Sequence, residues 1–234
     1  MIYRIPEQHI FPPPGEADES GILGVGGDLD PRRVYLAYRM GIFPWYSDPQ
    51  PILWWSPDPR MVLFPERLRI PRSLGKRIRQ RRYRVTMDRA FGEVVRRCKQ
   101  KPRPGQDGTW ITAEMLACYD GLFQAGVAHS IEAWDGDRLV GGLFGVSLGR
   151  VFAGDSMFAD APDASKVAFV HFVRQFQLWG GTCIDSQVHT EHLERFGGEL
   201  IPRRDYLALL ESDRDQRLRT SPWSFDSDFE CDGR

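Results

Sequence analysis

Residues 129–157 read HSIEAWDGDRLVGGLFGVSLGRVFAGDSM. The pattern over His129–Trp134 alternates as a β-strand does, and an Asp-Gly-Asp turn follows it. A second strand is predicted over Arg138–Ser147, and a third over Val151–Met157 after a Leu-Gly-Arg turn. The stretch therefore predicts an antiparallel meander of three strands.

Helices and shorter strands are predicted around this meander. Apolar residues at helical spacing indicate helices that begin near Asp88, after Thr112 and at Ser165. The chain then continues as strand, helix, strand and helix, over Thr182–Val188, Thr190–Gly197, Glu199–Ile201 and Arg203–Glu211. Together these elements predict an α+β fold with one mixed sheet and flanking helices.

The first 62 residues differ in composition from the rest. They are rich in proline, glycine and aromatic residues, which interrupt long elements. One helix is predicted there, with Asp30 as its N-cap, Pro31 as its first residue and Gly41 after its end. We predict a small N-terminal α/β domain over residues 1–62 and a larger domain over residues 63–234, in which residues 212–234 form a loose tail.

Charge is balanced in total but not in position. The chain has 31 basic and 32 acidic residues, which argues against a uniformly basic nucleic-acid coat and against DNA as a partner. Nine basic residues and no acidic one lie between Arg67 and Arg84, which leaves 22 basic and 32 acidic residues elsewhere. This basic segment either binds one portion of a polyanion or is only a solvated helix face.

Several features bear on compartment and cofactors. No apolar run reaches the ~18 residues needed to cross a bilayer, and the four cysteines are far apart with no C-x-x-C spacing. His189 and His192 have the spacing of a ligand pair, but no second cluster completes a metal site. We expect a cytoplasmic protein with reduced thiols, without a membrane partner, a metal or a cofactor.

Polar residues on predicted central strands suggest a cleft. Asp185 and Gln187 share one face of a strand, and Asp155 lies in the third strand of the meander. A carboxamide there could position a nucleophile while carboxylates hold a cation, or all three could be structural. Trp45 and Trp110 lie in predicted loops, where aromatic rings either stack on bases or pack in the core.

Many separate motifs, all in order, resemble the leucyl/phenylalanyl-tRNA–protein transferase family. They cover roughly residues 20 to 211 and are Gly26-Gly-Asp-Leu29, Gly41-Ile-Phe-Pro-Trp45, Ile52-Leu-Trp-Trp-Ser-Pro-Asp-Pro-Arg60, Tyr83-Arg-Val-Thr-Met87, Gly108-Thr-Trp-Ile-Thr112, His129-Ser-Ile-Glu132, Ser156-Met-Phe158, Ile184-Asp-x-Gln187 and Ile201-Pro-Arg-Arg-Asp-Tyr206. The resemblance implies a bacterial cytosolic enzyme that moves Leu or Phe, and less well Met, from its tRNA to the N-terminus of a protein beginning with Arg or Lys. It also implies an N-acetyltransferase-like (GNAT-type) catalytic domain over residues 63–234 that works without coenzyme A.

The resemblance also implies roles for particular residues. Gln187 and Asp185 match the catalytic carboxamide and carboxylate, and Trp45 and Trp110 match aromatic contacts to the terminal adenosine. The apolar pocket for the aminoacyl side chain is expected at Leu143, Phe152, Met157, Phe172, Phe176 and Ile184. The tRNA is expected on the basic segment because of its charge, at Lys76, Arg77, Arg79, Arg81 and Arg82.

One departure and two alternatives remain. Asp155 stands where the family is expected to have Glu, so a carboxylate near the cationic acceptor or the bound ester is one methylene shorter. A coenzyme A-dependent N-acetyltransferase of the same fold is an alternative, although Leu143 replaces the last small residue of the pyrophosphate turn in Arg138-Leu-Val-Gly-Gly-Leu143. A non-catalytic RNA-binding module would explain the basic segment, but it leaves Asp185 and Gln187 without a role.

Overall fold

The computed structural model describes residues 1–101, 109–220 and 222–233. Its strands are β1 (Tyr3–Ile5), β2 (Ile22–Gly26), β3 (Phe43–Pro44), β4 (Leu53–Trp55), β5 (Arg60–Leu63), β6 (Arg84–Met87), β7 (Ala128–Asp135), β8 (Arg138–Leu148), β9 (Val151–Ala159), β10 (Cys183–Gln187) and β11 (Glu199–Ile201). Its α-helices are α1 (Pro31–Arg39), α2 (Arg72–Arg79), α3 (Phe91–Gln100), α4 (Ala113–Gln124), α5 (Ala164–Leu178), α6 (Glu191–Arg195) and α7 (Arg203–Asp213).

The predicted meander forms the centre of a seven-stranded mixed sheet. The strand order is β11-β5-β10-β9-β8-β7-β6, in which β7, β8 and β9 are antiparallel neighbours and β10 runs parallel to β9. A second mixed sheet of four strands, in the order β1-β2-β4-β3, is built from the first part of the chain. The α+β prediction is confirmed, and the second sheet supplies strands to the first part of the chain, where the sequence located only one helix.

Three helices start at or near the residues that the sequence predicted. The Asp30 side chain accepts a hydrogen bond from the Arg32 backbone N–H, with Pro31 at the first helical position, as predicted. Helix α4 starts after Thr112, as predicted, and Thr112 caps it by accepting from the Met115 N–H at 3.2 Å. Ser165 does not cap α5, because the helix begins one residue earlier, after Asp163 in a left-handed conformation.

Buried apolar residues lie on both faces of the large sheet. Leu143 and Phe144 are neighbours in β8, yet they belong to different clusters because side chains alternate along a strand. Helices α3 and α4 pack in the cluster of Phe144, and α5 packs in the cluster of Leu143. In the described ranges of the chain, no helix is both long and apolar enough to cross a membrane.

Two predicted boundaries differ from the structure. The domain boundary predicted after residue 62 falls inside β5, which pairs with β10 and β11 in the large sheet. The described part of the predicted loose tail, residues 212–220 and 222–233, is not loose. Trp223 and Phe225 pack in the cluster of α5, and the Gly233 carbonyl lies so close to α2 that a Cβ on Gly75 would collide with it.

Candidate active site

One cavity collects most of the residues singled out in the sequence. Its volume is about 420 Å³, and its walls come from α1, β3, the segment before α4, β8, β9, α5, β10 and α6. The predicted residues that line it are Trp45, Trp110, Leu143, Phe152, Asp155, Met157, Phe172, Ile184 and Gln187. Residues from distant parts of the chain therefore meet around a single space, most of whose lining is apolar.

Phe176 is not part of the lining, contrary to the sequence prediction. Its ring lies 5.3 Å from the ring of Phe172 and 6.3 Å from that of Phe152, so it supports the wall from behind. The helical spacing placed Phe176 correctly on the buried side of α5. Spacing does not indicate where along the helix a cavity ends, and α5 carries Phe176 one turn beyond it.

Trp45 and Trp110 both reach the cavity from irregular segments. The Trp55 indole N–H donates to the Trp45 carbonyl at 2.6 Å, which fixes the backbone of Trp45. The Trp110 ring lies 6.4 Å from Tyr119 in an edge-on arrangement. Gly108, the first residue of the motif around Trp110, lies outside the described residues.

Asp185 is buried away from the cavity and bound to Arg60. Arg60 donates from Nε and Nη2 to the two carboxylate oxygens at 2.8 and 2.7 Å, and both side chains are almost completely buried. The Tyr206 hydroxyl donates to Oδ2 at 2.8 Å, and the Gln187 backbone N–H donates to Oδ1 at 2.9 Å. Burial lowers the pKa of Arg60, but the charges and hydrogen bonds of Asp185 and Tyr206 together outweigh it, so the pKa is raised and Arg60 stays charged.

These contacts correct the role predicted for Asp185. The sequence suggests that Asp185 holds a cation or acts as the catalytic carboxylate, but its charge is already matched by Arg60. Asp185 accepts a hydrogen bond from the backbone N–H of Gln187, and it does not line the cavity. These contacts suit a residue that positions Gln187.

Gln187 stands at an irregular point of β10. Its φ of +60° is left-handed, and the pairing with β5 shifts register between Asp185 and Gln187. A non-glycine residue in this conformation costs ~1–3 kcal/mol and persists where its surroundings hold it. The amide orientation that satisfies both of its ends directs Nε2 to the carbonyls of Ser186 at 2.9 Å and Gly154 at 3.2 Å. In this orientation the amide oxygen Oε1 points away from those two carbonyls.

Asp155 is the second carboxylate of the site, and its surroundings differ from those of Asp185. The Tyr38 hydroxyl donates to Oδ1 at 2.6 Å, and the hydroxyls of Tyr38 and Tyr119 are 3.0 Å apart. Oδ2 is buried and has no hydrogen-bond partner within the described part of the chain. Burial raises the pKa of Asp155 to about 8, and the two tyrosine hydroxyls offset only part of this effect.

Four residues of this network were not predicted as site residues from the sequence, namely Tyr38, Arg60, Tyr119 and Tyr206. Arg60 and Tyr206 end two of the quoted motifs, but neither received a role. A usable signal was present for Arg60, because it opens the otherwise apolar strand Arg60-Met-Val-Leu63 and a charged residue there needs a partner. Which carboxylate supplies that partner depends on the pairing of β5 with β10, which the sequence does not show.

The histidine pair and the suspected coenzyme A turn can both be compared with the geometry. His189 lies 3.1 Å from Glu194, and the described residues contain no group of three or more side chains suited to a metal ion. The glycine pair of the suspected pyrophosphate turn lies inside β8, paired with β7 on one side and β9 on the other. The backbone N–H and C=O groups of a central strand are hydrogen-bonded to the neighbouring strands. They are not available to a pyrophosphate, which disfavours a coenzyme A site there.

The predicted tRNA-binding residues lie on or just after α2. Lys76, Arg79, Arg81 and Arg82 are exposed, while Arg77 is half-buried in an ion pair with Asp163 at 3.1 Å. Two of the others also have acidic neighbours, since Arg81 is 3.0 Å from Glu230 and Arg82 is 3.7 Å from Asp135. The basic segment is a solvated surface, part of whose charge is matched by the C-terminal segment.

The chain was compared with known proteins. The family model described as leucyl/phenylalanyl-tRNA protein transferase matches residues 62–211, and the model of the N-terminal domain of that transferase matches residues 27–58. A solved structure of a conserved protein of unknown function from Staphylococcus epidermidis shares 8% identity with a TM-score of 0.40, over 77% of this chain and 68% of that one. This similarity is too weak to assign a fold family.

Curated relatives match over nearly their whole length. The leucyl/phenylalanyl-tRNA–protein transferase of an Anaeromyxobacter species is 56% identical over 97% of this chain and 96% of its own. The proteins of the same name from Anaeromyxobacter dehalogenans and Myxococcus xanthus are 53% and 54% identical, over 97% and 95% of this chain and 97% and 96% of their own. On these matches, the protein belongs to the leucyl/phenylalanyl-tRNA–protein transferase family.

Proposed function

We propose that this protein transfers leucine or phenylalanine, and less well methionine, from aminoacyl-tRNA to the α-amine of proteins that begin with Arg or Lys, which marks them for degradation. The place of action is the cytoplasm, where charged tRNA is found. Besides family membership, the observation that supports the proposal is a single cavity whose mainly apolar lining also contains Gln187 and Asp155.

The apolar part of the cavity receives the aminoacyl side chain. Leu143, Phe152, Met157, Phe172 and Ile184 all line it. Met157 is unbranched and adapts to differently shaped side chains, which suits a site that takes both Leu and Phe. Such a pocket discriminates by only ~1–3 kcal/mol per methylene, so smaller apolar residues are poor donors and are not excluded completely.

The chemical step converts an ester into an amide. The acceptor nitrogen attacks the ester carbonyl, a C–N bond forms, the C–O bond to the ribose breaks, and a proton of the amine finally reaches the ribose oxygen. The Gln187 carbonyl oxygen accepts a hydrogen bond from the amine and so aligns it with the carbonyl. A carboxamide is too weak a base to remove a proton from ammonium, so the amine attacks in its neutral form. Alignment alone can lower the barrier by ~7–11 kcal/mol.

The acceptor end carries a positive α-amine and a basic side chain. Asp155 faces the cavity with a buried carboxylate oxygen that has no hydrogen-bond partner within the described ranges. A cation that binds beside it supplies the missing partner and favours the ionised carboxylate. We therefore assign Asp155 to the acceptor.

The tRNA is held at two places. Trp45 and Trp110 stack on the terminal adenosine, for which base–aromatic contacts are worth ~1–3 kcal/mol each. The exposed cations Lys76, Arg79 and Arg81, with neighbouring Arg77 and Arg82, hold the phosphate backbone.

We further infer the architecture from the strand order. The β7–β9 meander followed by a parallel β10 supports a GNAT-type catalytic domain over residues 63–234, joined to a small domain over residues 1–62. The placement of β5 in the large sheet moves the physical boundary a few residues towards the N-terminus.

The deciding experiment is transfer of labelled Leu or Phe from tRNA to a peptide that begins with Arg. The expected product is the peptide extended by one residue, and a matched peptide with an acetylated N-terminus should remain unlabelled. Absence of product with charged tRNA and a free N-terminal Arg would refute the proposal. Calorimetric titration with acetyl-coenzyme A tests the alternative enzyme, for which we expect no binding.

A further inference from the structure

The C-terminal segment of residues 222–233 is held against α5 by Asp226. The Gln175 side chain donates to Oδ2 at 2.6 Å, and the Trp179 indole N–H donates to Oδ1 at 3.1 Å. The Asp226 backbone N–H donates in return to the side-chain amide oxygen Oε1 of Gln175 at 3.0 Å. Gln175 has no exposed surface. The segment is therefore docked in one register on α5 by a buried amide.

This docking places the Trp223 ring beside the core of the large sheet. The ring stacks on His129 of β7, with centroids 3.7 Å apart and planes only 4° from parallel. It lies 5.9 Å from Phe152 and 6.1 Å from Phe172, and it packs in the same apolar cluster. Trp179 contacts it edge-on at 5.4 Å.

Phe152 and Phe172 separate Trp223 from the cavity. Both line the cavity, their rings are 4.5 Å apart, and neither has exposed surface. Trp223 is not part of the lining, so it contacts the wall from the opposite side. Protein interiors are close-packed, so the position of each wall ring depends on what stands behind it. Loss of a large side chain there leaves a void into which neighbours relax only in part.

We propose that Trp223 is a positioning residue that sets the depth of the aminoacyl side-chain pocket through Phe152 and Phe172, and so fixes which donor side chains are preferred. The inference rests on the proposed function, because it takes the cavity as the site of the aminoacyl side chain. It gives the segment after residue 211, where the family match ends, a role in donor selection.

The test measures kcat/KM for three donors with Trp223→Ala and Trp223→Phe. Adenosine esters of Leu, Phe and Trp are used as donors, because they do not involve the basic segment. Trp223→Ala should raise the preference for Phe over Leu, and for Trp over Phe, by about tenfold, since a change of one methylene in an apolar pocket already alters selection by that order. Trp223→Phe should shift both ratios in the same direction by a smaller factor.

Phe229→Ala is the matched control. It removes an aromatic ring from the same segment, but that ring contacts His171 at 6.1 Å and Phe225 at 5.0 Å. The Phe-to-Leu and Trp-to-Phe ratios of kcat/KM should therefore stay as in the wild type, even if the melting temperature falls. If Trp223→Ala does not fold, Trp223→Phe decides alone.

Two results would overturn the inference. One is unchanged donor ratios in folded Trp223 variants, including a uniform loss of activity with all three donors. The other is an equal change of ratio in Phe229→Ala. A wild-type protein that transfers from no donor would instead refute the proposed function, so the two failures are distinguishable.

Discussion

Two carboxylates flank Gln187, and their surroundings give them different tasks. Asp185 accepts hydrogen bonds from Nε and Nη2 of Arg60. It also accepts from the Tyr206 hydroxyl and the Gln187 backbone N–H. Asp155 accepts from Tyr38 and keeps one buried oxygen without a partner among the described residues. Two carboxylates in different environments commonly divide the work of a site. Asp185 is suited to hold the backbone, and Asp155 is suited to meet a substrate.

The role of Gln187 can be tested by removing its amide. Gln187→Ala should lower kcat by about 100-fold, because the group that aligns the amine is lost, while the KM for aminoacyl-tRNA changes little. A left-handed φ is as unfavourable for Ala as for Gln, because both have a Cβ, so the substitution does not change the backbone strain. Steady-state transfer kinetics measure both constants. Gln177→Ala, the same change at an exposed position of α5, is the control, and wild-type turnover in Gln187→Ala would contradict the assignment.

The raised pKa of Asp155 predicts a pH dependence. The carboxyl is neutral below a pKa of about 8 and charged above it, so attraction for a cationic acceptor increases as the pH rises. The kcat/KM of the wild type relative to Asp155→Asn should therefore rise with pH and become level above about 8. The ratio removes the titration of the peptide itself. A ratio that is constant from pH 6 to 9 would exclude Asp155 as the charged partner.

At the scale of elements, β10 and α2 illustrate what periodicity does and does not reveal. Alternation placed Asp185 and Gln187 on one face of β10, but the register shift before Gln187 separates them. Asp185 points to Arg60, and Gln187 lines the cavity. In α2 the i, i+4 spacing buries Leu74 and Ile78 on one side of the helix and leaves Lys76 and Arg79 exposed. Regular elements follow their period, and a bulge is a tertiary feature that breaks it.

Helix α2 carries the prediction about tRNA. Lys76→Glu should raise the KM for aminoacyl-tRNA and lower the slope of log affinity against log salt by about 1 for each lost phosphate contact. The KM for an aminoacyl-adenosine ester should not change, because that donor has no phosphate backbone. Arg204→Glu on α7, also an exposed position, controls for the charge change. An equal rise of KM with both donors would place Lys76 in another role.

For the whole molecule, the C-terminal segment joins both ends of the proposed site. Trp223 stands behind the aminoacyl wall, and Glu230 and Gly233 lie against the basic segment. The local composition of residues 212–234 indicated a loose tail, because it is polar and lacks a periodic pattern. Its docking depends on isolated residues, Asp226 above all, whose partners are far away in the sequence. Such contacts leave no periodic signal.

The acidic part of this segment should weaken tRNA binding. Asp228→Asn combined with Glu230→Gln should lower the KM for aminoacyl-tRNA by about two- to fivefold at low salt, the range expected when exposed ion pairs such as Arg81–Glu230 are removed. The difference should disappear at high salt through screening. Asp137→Asn at the exposed β7–β8 turn is the control. A higher KM in the double variant would contradict the prediction.

The sequence by itself determined the α+β class, the central meander, the cap at Asp30, the helix start after Thr112, and the family, because these depend on local periodicity, turn chemistry and ordered motifs. Most lining residues of the cavity also followed from the matched motifs. Only the tertiary structure decided that Asp185 pairs with Arg60, that Phe176 stands behind the wall and that Trp223 supports it. The physical reason is that a buried charge or ring takes its role from its neighbours in space, and strand order and segment docking choose those neighbours.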